Sequence, residues 1–165
     1  MKTLSKSLIA ITVLIVLFVS SFSVASENEY ASYCEDLSCA KMVIGETSDP
    51  SLCENLNDSG NCYQMASRLL NDSSLCFKAE NSSGCLYSYA LRNEDHTICQ
   101  QLGALLDKCI FDVAVRRKDS SLCQDAKDPY YCFYSYAVWS GDVKICDFSE
   151  KYKNACIEKI LEAKS

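Results

Sequence analysis

Asp49-Pro50-Ser51-Leu52-Cys53-Glu54-Asn55-Leu56-Asn57-Asp58-Ser59-Gly60-Asn61-Cys62-Tyr63-Gln64-Met65-Ala66 decides the fold, because its pattern returns along the chain. The cysteines stand at 34, 39, 53, 62, 76, 85, 99, 109, 123, 132, 146 and 156 and are labelled a and b alternately. Every step from b to the next a is 14 residues, while the steps from a to b are 5, 9, 9, 10, 9 and 10. Four residues before a stand Asp49, Asp72, Asp95, Asp119 and Asp142. One before it stand Leu52, Leu75, Ile98, Leu122 and Ile145, and three after it Leu56, Ala79, Leu102, Ala126 and Ser149. Position b+5 is small in Ser67, Ala90, Ala114 and Ala137. A fixed period of this length marks a repeat of one supersecondary unit.

The Asp of each copy is a helix start. Its carboxylate accepts orphan N–H groups of the first turn, and its charge suits the positive end of the helix dipole. Pro50 follows Asp49 at the first helical position, where proline is tolerated. A short helix of about two turns ends in a polar loop such as Asn57-Asp58-Ser59-Gly60, and a second helix begins near b. On that second helix b+1, b+4 and b+5 share one face, as with Leu86, Tyr89 and Ala90, or Phe133, Tyr136 and Ala137. Positions b+2 and b+6 form another apolar stripe: Tyr87 with Leu91, Phe111 with Val115, Tyr134 with Val138. A helix apolar over most of its circumference is buried between neighbours, and a small b+5 residue lets the next helix come close.

These patterns predict an all-α, disulfide-stapled α-solenoid of six short helical hairpins, with modules 30–48, 49–71, 72–94, 95–118, 119–141 and 142–165. One module is too small to bury its own apolar face, so neighbours supply the core. Sequence alone does not fix the cysteine pairing. Pairing a with b inside each module leaves no orphan, whereas pairing b with the next a strands Cys34 and Cys156. A cysteine one turn into a short helix and another opening the next helix can meet within the ~4.4–6.8 Å Cα separation of a disulfide. The expected set is Cys34–Cys39, Cys53–Cys62, Cys76–Cys85, Cys99–Cys109, Cys123–Cys132 and Cys146–Cys156. Linked peptides holding Cys62 and Cys76 would overturn it.

The chain has 165 residues, and its first 25 read as a secretion signal. Lys2 and Lys6 precede the apolar run Leu8 to Val19, and Ser23-Val24-Ala25 fits cleavage after Ala25. The rival reading is a retained membrane anchor over Leu8 to Ala25. Removing the signal takes two basic residues of 16 and none of the 22 acidic ones, leaving 14 − 22 = −8. That charge repels phosphate backbones, so nucleic acid is not an expected partner, and no polybasic patch invites a membrane once the signal is gone. An even cysteine count at this density belongs to an oxidising, extracellular or cell-envelope setting. Asn57, Asn71 and Asn81 head glycosylation sequons.

Cys53 to Cys62, with Asp49 to Cys53 and Cys62 to Ala66, resembles the cysteine-linked turn of secreted Sel1-like helical repeat proteins and of cysteine-rich repeat proteins from archaea and bacteria. The resemblance spans about 30–165. The glycine pattern of Sel1-like repeats is missing here and their repeats are longer. It implies an α-solenoid used for protein interaction and carries over no catalytic residue.

No catalytic constellation, cofactor or metal site is expected. His96 is the one histidine and reads as an exposed first-turn residue. No Cys-x-x-Cys pair offers a zinc site, and capping explains the Asp series more simply than calcium does. The candidate binding residues are aromatic: Tyr87, Phe111 and Tyr134 recur at b+2, and Trp139 stands at b+7, where other copies carry Arg92 and Arg116. Solenoids bind on such surfaces, and tyrosine is a frequent anchor. The expected function is a non-enzymatic secreted or cell-surface scaffold that binds a protein. A secreted effector or inhibitor occluding a target enzyme is the alternative.

Overall fold

The computed structural model describes residues 34–164. The expected signal, its cleavage point after Ala25 and the rival anchor lie outside the described residues, as do 30–33 of the first module and Ser165. Among the described residues no helix is long and apolar enough to cross a membrane.

All regular structure among the described residues is helical, which makes the chain all-α. The α-helices are α1 (Leu37–Thr47), α2 (Ser59–Leu69), α3 (Ser82–Asn93), α4 (Leu106–Arg117), α5 (Pro129–Ser140) and α6 (Lys153–Glu162). Between them run 3-10 helices: η1 (Pro50–Asn55), η2 (Ser73–Lys78), η3 (His96–Gln101), η4 (Gly103–Leu105), η5 (Ser120–Asp125) and η6 (Val143–Tyr152). The short helix after each Asp is thus a 3-10 helix. Its bonds close one residue earlier than α bonds, so a six-residue segment makes more of them. The side chains of Asp49, Asp72, Asp95, Asp119 and Asp142 accept from the backbone N–H two residues on.

The residue before each Asp ends the preceding α-helix. Ser48, Asn71, Glu94, Lys118 and Gly141 all have positive φ, between 52° and 70°. The next N–H then turns back: Asp72 donates to Ser67 O, Asp95 to Ala90 O and Asp119 to Ala114 O, at 3.1, 2.9 and 3.0 Å. This is the Schellman closure. In these three copies one Asp therefore closes one helix with its amide and starts the next with its carboxylate, while the Asp49 and Asp142 amides turn to Thr47 Oγ1 and Ser140 Oγ. The constant step of 14 spans the rest of the α-helix after b, this joint and the start of the 3-10 helix.

Cysteine a is the fourth residue of its 3-10 helix from the second module on, and b the fourth residue of α2 to α6. Cysteine b therefore stands inside the second turn and does not open the helix; Ser59 and Gly60 of the expected loop already belong to α2. Each a is bonded to the b of its own module, with Cα atoms 5.3–5.7 Å apart. No described cysteine is left over, and all but the half-buried Cys39 are buried. The bonds are part of the core, joined by Leu52, Leu75, Ile98 and Leu122 at a−1, by the buried a+3 residues, and by Ala66, Ala90, Ala114 and Ala137.

Successive α-helices pack on one another, and every substantial contact between elements joins the same or adjacent modules. Small groups make this approach close. A Cβ on Gly60 would stand 2.7 Å from the backbone nitrogen of Glu80 in the next module. Polar contacts tie neighbouring modules as well. Lys78 Nζ lies 3.1 Å from Glu54 Oε1, and Lys127 N–H donates to Asp107 Oδ1 at 2.5 Å.

Candidate binding groove between two helices

Equal position in the period places Tyr87, Phe111 and Tyr134 on matching faces of α3, α4 and α5, each half-buried. Their surroundings differ. Tyr87 OH donates to Asp112 Oδ2. Lys108 Nζ donates to Tyr87 Oη at 2.6 Å and to Asp112 at 2.5 Å. The ammonium also stands 5.1 Å from the Tyr87 ring centroid. Asp112 foremost, then Tyr87, holds the Lys108 ammonium charged well above the usual lysine range. Burial foremost, then the bond to Asp112, pushes the Tyr87 phenol up. The junction of α3 and α4 is closed by this group.

One module on, a groove of about 380 Å³ lies between α4 and α5. From α4 it is lined by Asp107, Lys108, Phe111 and Asp112. Asp128, Tyr131, Cys132 and Ser135 form the opposite wall. Tyr131 is 54% exposed. Its ring stacks on Tyr134 at 5.9 Å and meets Tyr152 edge-on at 5.9 Å. Tyr134 and Tyr152 are 5.8 Å apart, so three rings form one cluster beside the groove.

Asp128 anchors this wall. Its Oδ1 accepts from Tyr131 N–H at 3.2 Å and caps α5, while Oδ2 lies 3.2 Å from Lys151 Nζ. The Tyr131 amide foremost holds the Asp128 carboxyl below its usual range, with Lys151 and Tyr152 adding to the effect against burial. Next to Lys151, Glu150 has φ 37° and ψ −100°, a strained backbone for a residue with a Cβ. Its side chain bonds Tyr130, and this bond foremost pushes the Tyr130 phenol up.

Trp139 is 51% exposed but lines no part of the groove; its ring packs edge-on against Tyr136 at 5.4 Å. His96 departs from its expected exposed position. It is half-buried, its Nε2 lies 3.3 Å from Asp125 Oδ2 of the next module, and its Nδ1 is enclosed without a hydrogen-bond partner. The period explains this: His96 opens η3, and η5 of the next module packs beside that end. Asn57 stands exposed in a turn, and Asn71 is exposed with left-handed backbone. Asn81 caps α3 by accepting from Gly84 N–H at 2.9 Å. Among the described residues no group of three or more His, Cys, Asp or Glu is placed to hold a metal.

The groove offers ring stacking, ion pairing and hydrogen bonds. No protein-family model matches the chain, and neither a curated protein nor a solved structure is significantly similar to it.

Of the groove residues, Phe111 was visible in the sequence as a recurrent aromatic position. Tyr131, Asp128 and Lys108 were not. For Lys108 and Tyr131 the signal was a break in the period: position b−1 runs Asn61, Gly84, Lys108, Tyr131 and Ala155, with an aromatic residue in one copy alone.

Proposed function

We propose that the chain is a secreted or cell-surface binding protein, non-enzymatic, that holds a partner protein in the groove between α4 and α5. In this reading the six modules form an α-solenoid, terminated at one end by α1 and at the other by α6. Contacts confined to adjacent modules support that architecture. Six disulfides fit an oxidising, extracellular environment.

The observation that carries the binding reading is Tyr131. A large aromatic side chain stands exposed at the rim of an apolar groove, its ring held in place by Tyr134 and Tyr152. An aromatic ring fixed before binding loses little conformational freedom on contact, which is how interface anchors behave. Disulfides on both sides hold the two walls rigid.

Affinity capture from the native medium tests this with the oxidised chain. A protein retained by the wild type should be lost with Tyr131→Ala and with Phe111→Ala, and kept with Met42→Ala, which lies at the far end. Equal retention by all variants would remove the groove from the reading. Sequencing the mature N-terminus tests secretion, with Ser26 as the expected first residue.

A further inference from the structure

We propose that the groove between α4 and α5 receives a lysine or arginine side chain of the partner protein, which rests on the groove being the binding site. The argument comes from the junction one module earlier. There, positions b+2, b−1 and b+3 hold Tyr87, Lys108 and Asp112, which close on one another as a cation, its carboxylate and a ring. The same three positions one module on hold Phe111, Tyr131 and Ser135. The ammonium and its carboxylate are both replaced, and the groove lies at that place. Tyr131 does not close it, since its ring turns to Tyr134 and Tyr152. Where the junction is closed a lysine of the chain stands over the b+2 ring; at the open one Lys108 and Lys151 are each already paired with a carboxylate.

Charge supports the same occupant. Asp107, Asp112 and Asp128 line the groove against Lys108 alone, −3 + 1 = −2. Lys151 pairs with Asp128 from η6 and still leaves the balance at −1. The chain uses this chemistry elsewhere. Lys78 stands 4.9 Å from the Tyr63 ring centroid beside Glu54, and Lys151 stands 4.9 Å from that of Tyr152 beside Asp128. A cation is drawn to an aromatic face, more strongly when partly desolvated. A long cationic side chain carries both halves of what the groove offers: an aliphatic stem for Phe111 and Tyr131, and a charged head for Asp107 and Asp128. A neutral sugar would use the rings and leave the charge unanswered.

The test is an amide NMR titration of the oxidised full chain with N-acetyl-lysine methylamide and N-acetyl-arginine methylamide. Signals of Phe111, Tyr131 and Ser135 should shift and saturate, with the uncharged norleucine analogue at least about fivefold weaker. Tyr131→Lys with Ser135→Asp writes the closed junction into the open one and should abolish the shifts. Asp107→Asn with Asp128→Asn keeps in both places an oxygen that accepts a backbone N–H, from Lys127 and Tyr131, and should weaken binding without that redesign. Norleucine binding as tightly as lysine would overturn the cation while leaving an apolar groove in place. N-acetylglucosamine shifting these signals where the basic compounds do not would overturn it in favour of a carbohydrate. Binding undiminished in both double variants, or absent in the wild type, also overturns it. Retention of the partner is lost or kept with Tyr131→Ala whatever the fragments do, so the two readings fail separately.

Discussion

Modules 95–118 and 142–165 carry one residue more between their cysteines than modules 49–71, 72–94 and 119–141, and the two classes start their α-helices differently. In the shorter class the a+3 residue is extended, as in Leu56, Ala79 and Ala126, and an Asx residue precedes the α-helix: Asp58, Asn81 or Asp128. Asn81 and Asp128 cap through their side chains. In the longer class the residues before the helices are Leu105 and Tyr152, neither of which caps. Their first amides are met by 3-10 bonds instead, Leu106 N–H to Gly103 O and Lys153 N–H to Glu150 O. One inserted residue therefore exchanges a side-chain cap for a 3-10 lead-in. The insert is absorbed at a+4 both times, by Gly103 with φ 53° and by Glu150 with φ 37°. The disulfide and the two helices leave it no other place.

The largest effect comes from opening a disulfide. Replacing Cys123 and Cys132 by alanine should cost about 3 kcal/mol in urea unfolding, and so should the same change at Cys99 and Cys109. Loop closure grows so slowly with length that nine and ten residues differ by only about 0.1 kcal/mol. A gap above about 1 kcal/mol between the pairs would show that the helix lead-ins, not the closures, set the stability of the two classes.

The inserted residue should give the next largest effect. Gly103→Ala puts a Cβ at positive φ and should destabilise by about 1–2 kcal/mol, although nothing within 4 Å obstructs that atom. Glu150 already bears such strain, offset in part by its bond to Tyr130. With that bond removed by Tyr130→Phe, a further Glu150→Gly should stabilise by about 1 kcal/mol, read as a shift in melting temperature. Destabilisation there would mean that Glu150 is not strained, and the two inserts would no longer be equivalent.

These differences also mark what could be read in the sequence. The all-helical class was legible because the same residue types return every 23 or 24 positions, each return restating one packing demand. The left-handed residues were not, since Ser48, Glu94 and Lys118 carry no signature of positive φ; the backbone bond of the following Asp holds Glu94 and Lys118 there, while the Asp49 amide after Ser48 turns to Thr47 Oγ1. The groove was legible only in part for the opposite reason. It arises where one module departs from the period, and a pattern sought by recurrence hides the single departure at Tyr131. Trp139 was conspicuous by type, yet its helix position points it toward Tyr136 and not into the groove.

The smallest effect separates two helices that start the same way. Asn81 caps α3 and cannot titrate, whereas Asp128 caps α5 and does. Asn81→Ala should cost about 1 kcal/mol at any pH. For Asp128 the sign follows from its carboxyl being lowered on folding, chiefly by the Tyr131 amide. A lowered carboxyl stabilises the fold above its unfolded value near 3.8, and the contribution fades as pH falls through the lower folded value. Amide exchange of Tyr131 should therefore accelerate, relative to Gly84, as pH is taken below 3.8, with the intrinsic acid dependence common to both divided out. Asp128→Asn should abolish the difference. Gly84 and Tyr131 losing protection together would mean that acid acts on the whole molecule, and that the cap carbonyl of Asn81 and the carboxylate of Asp128 hold their helices in the same way.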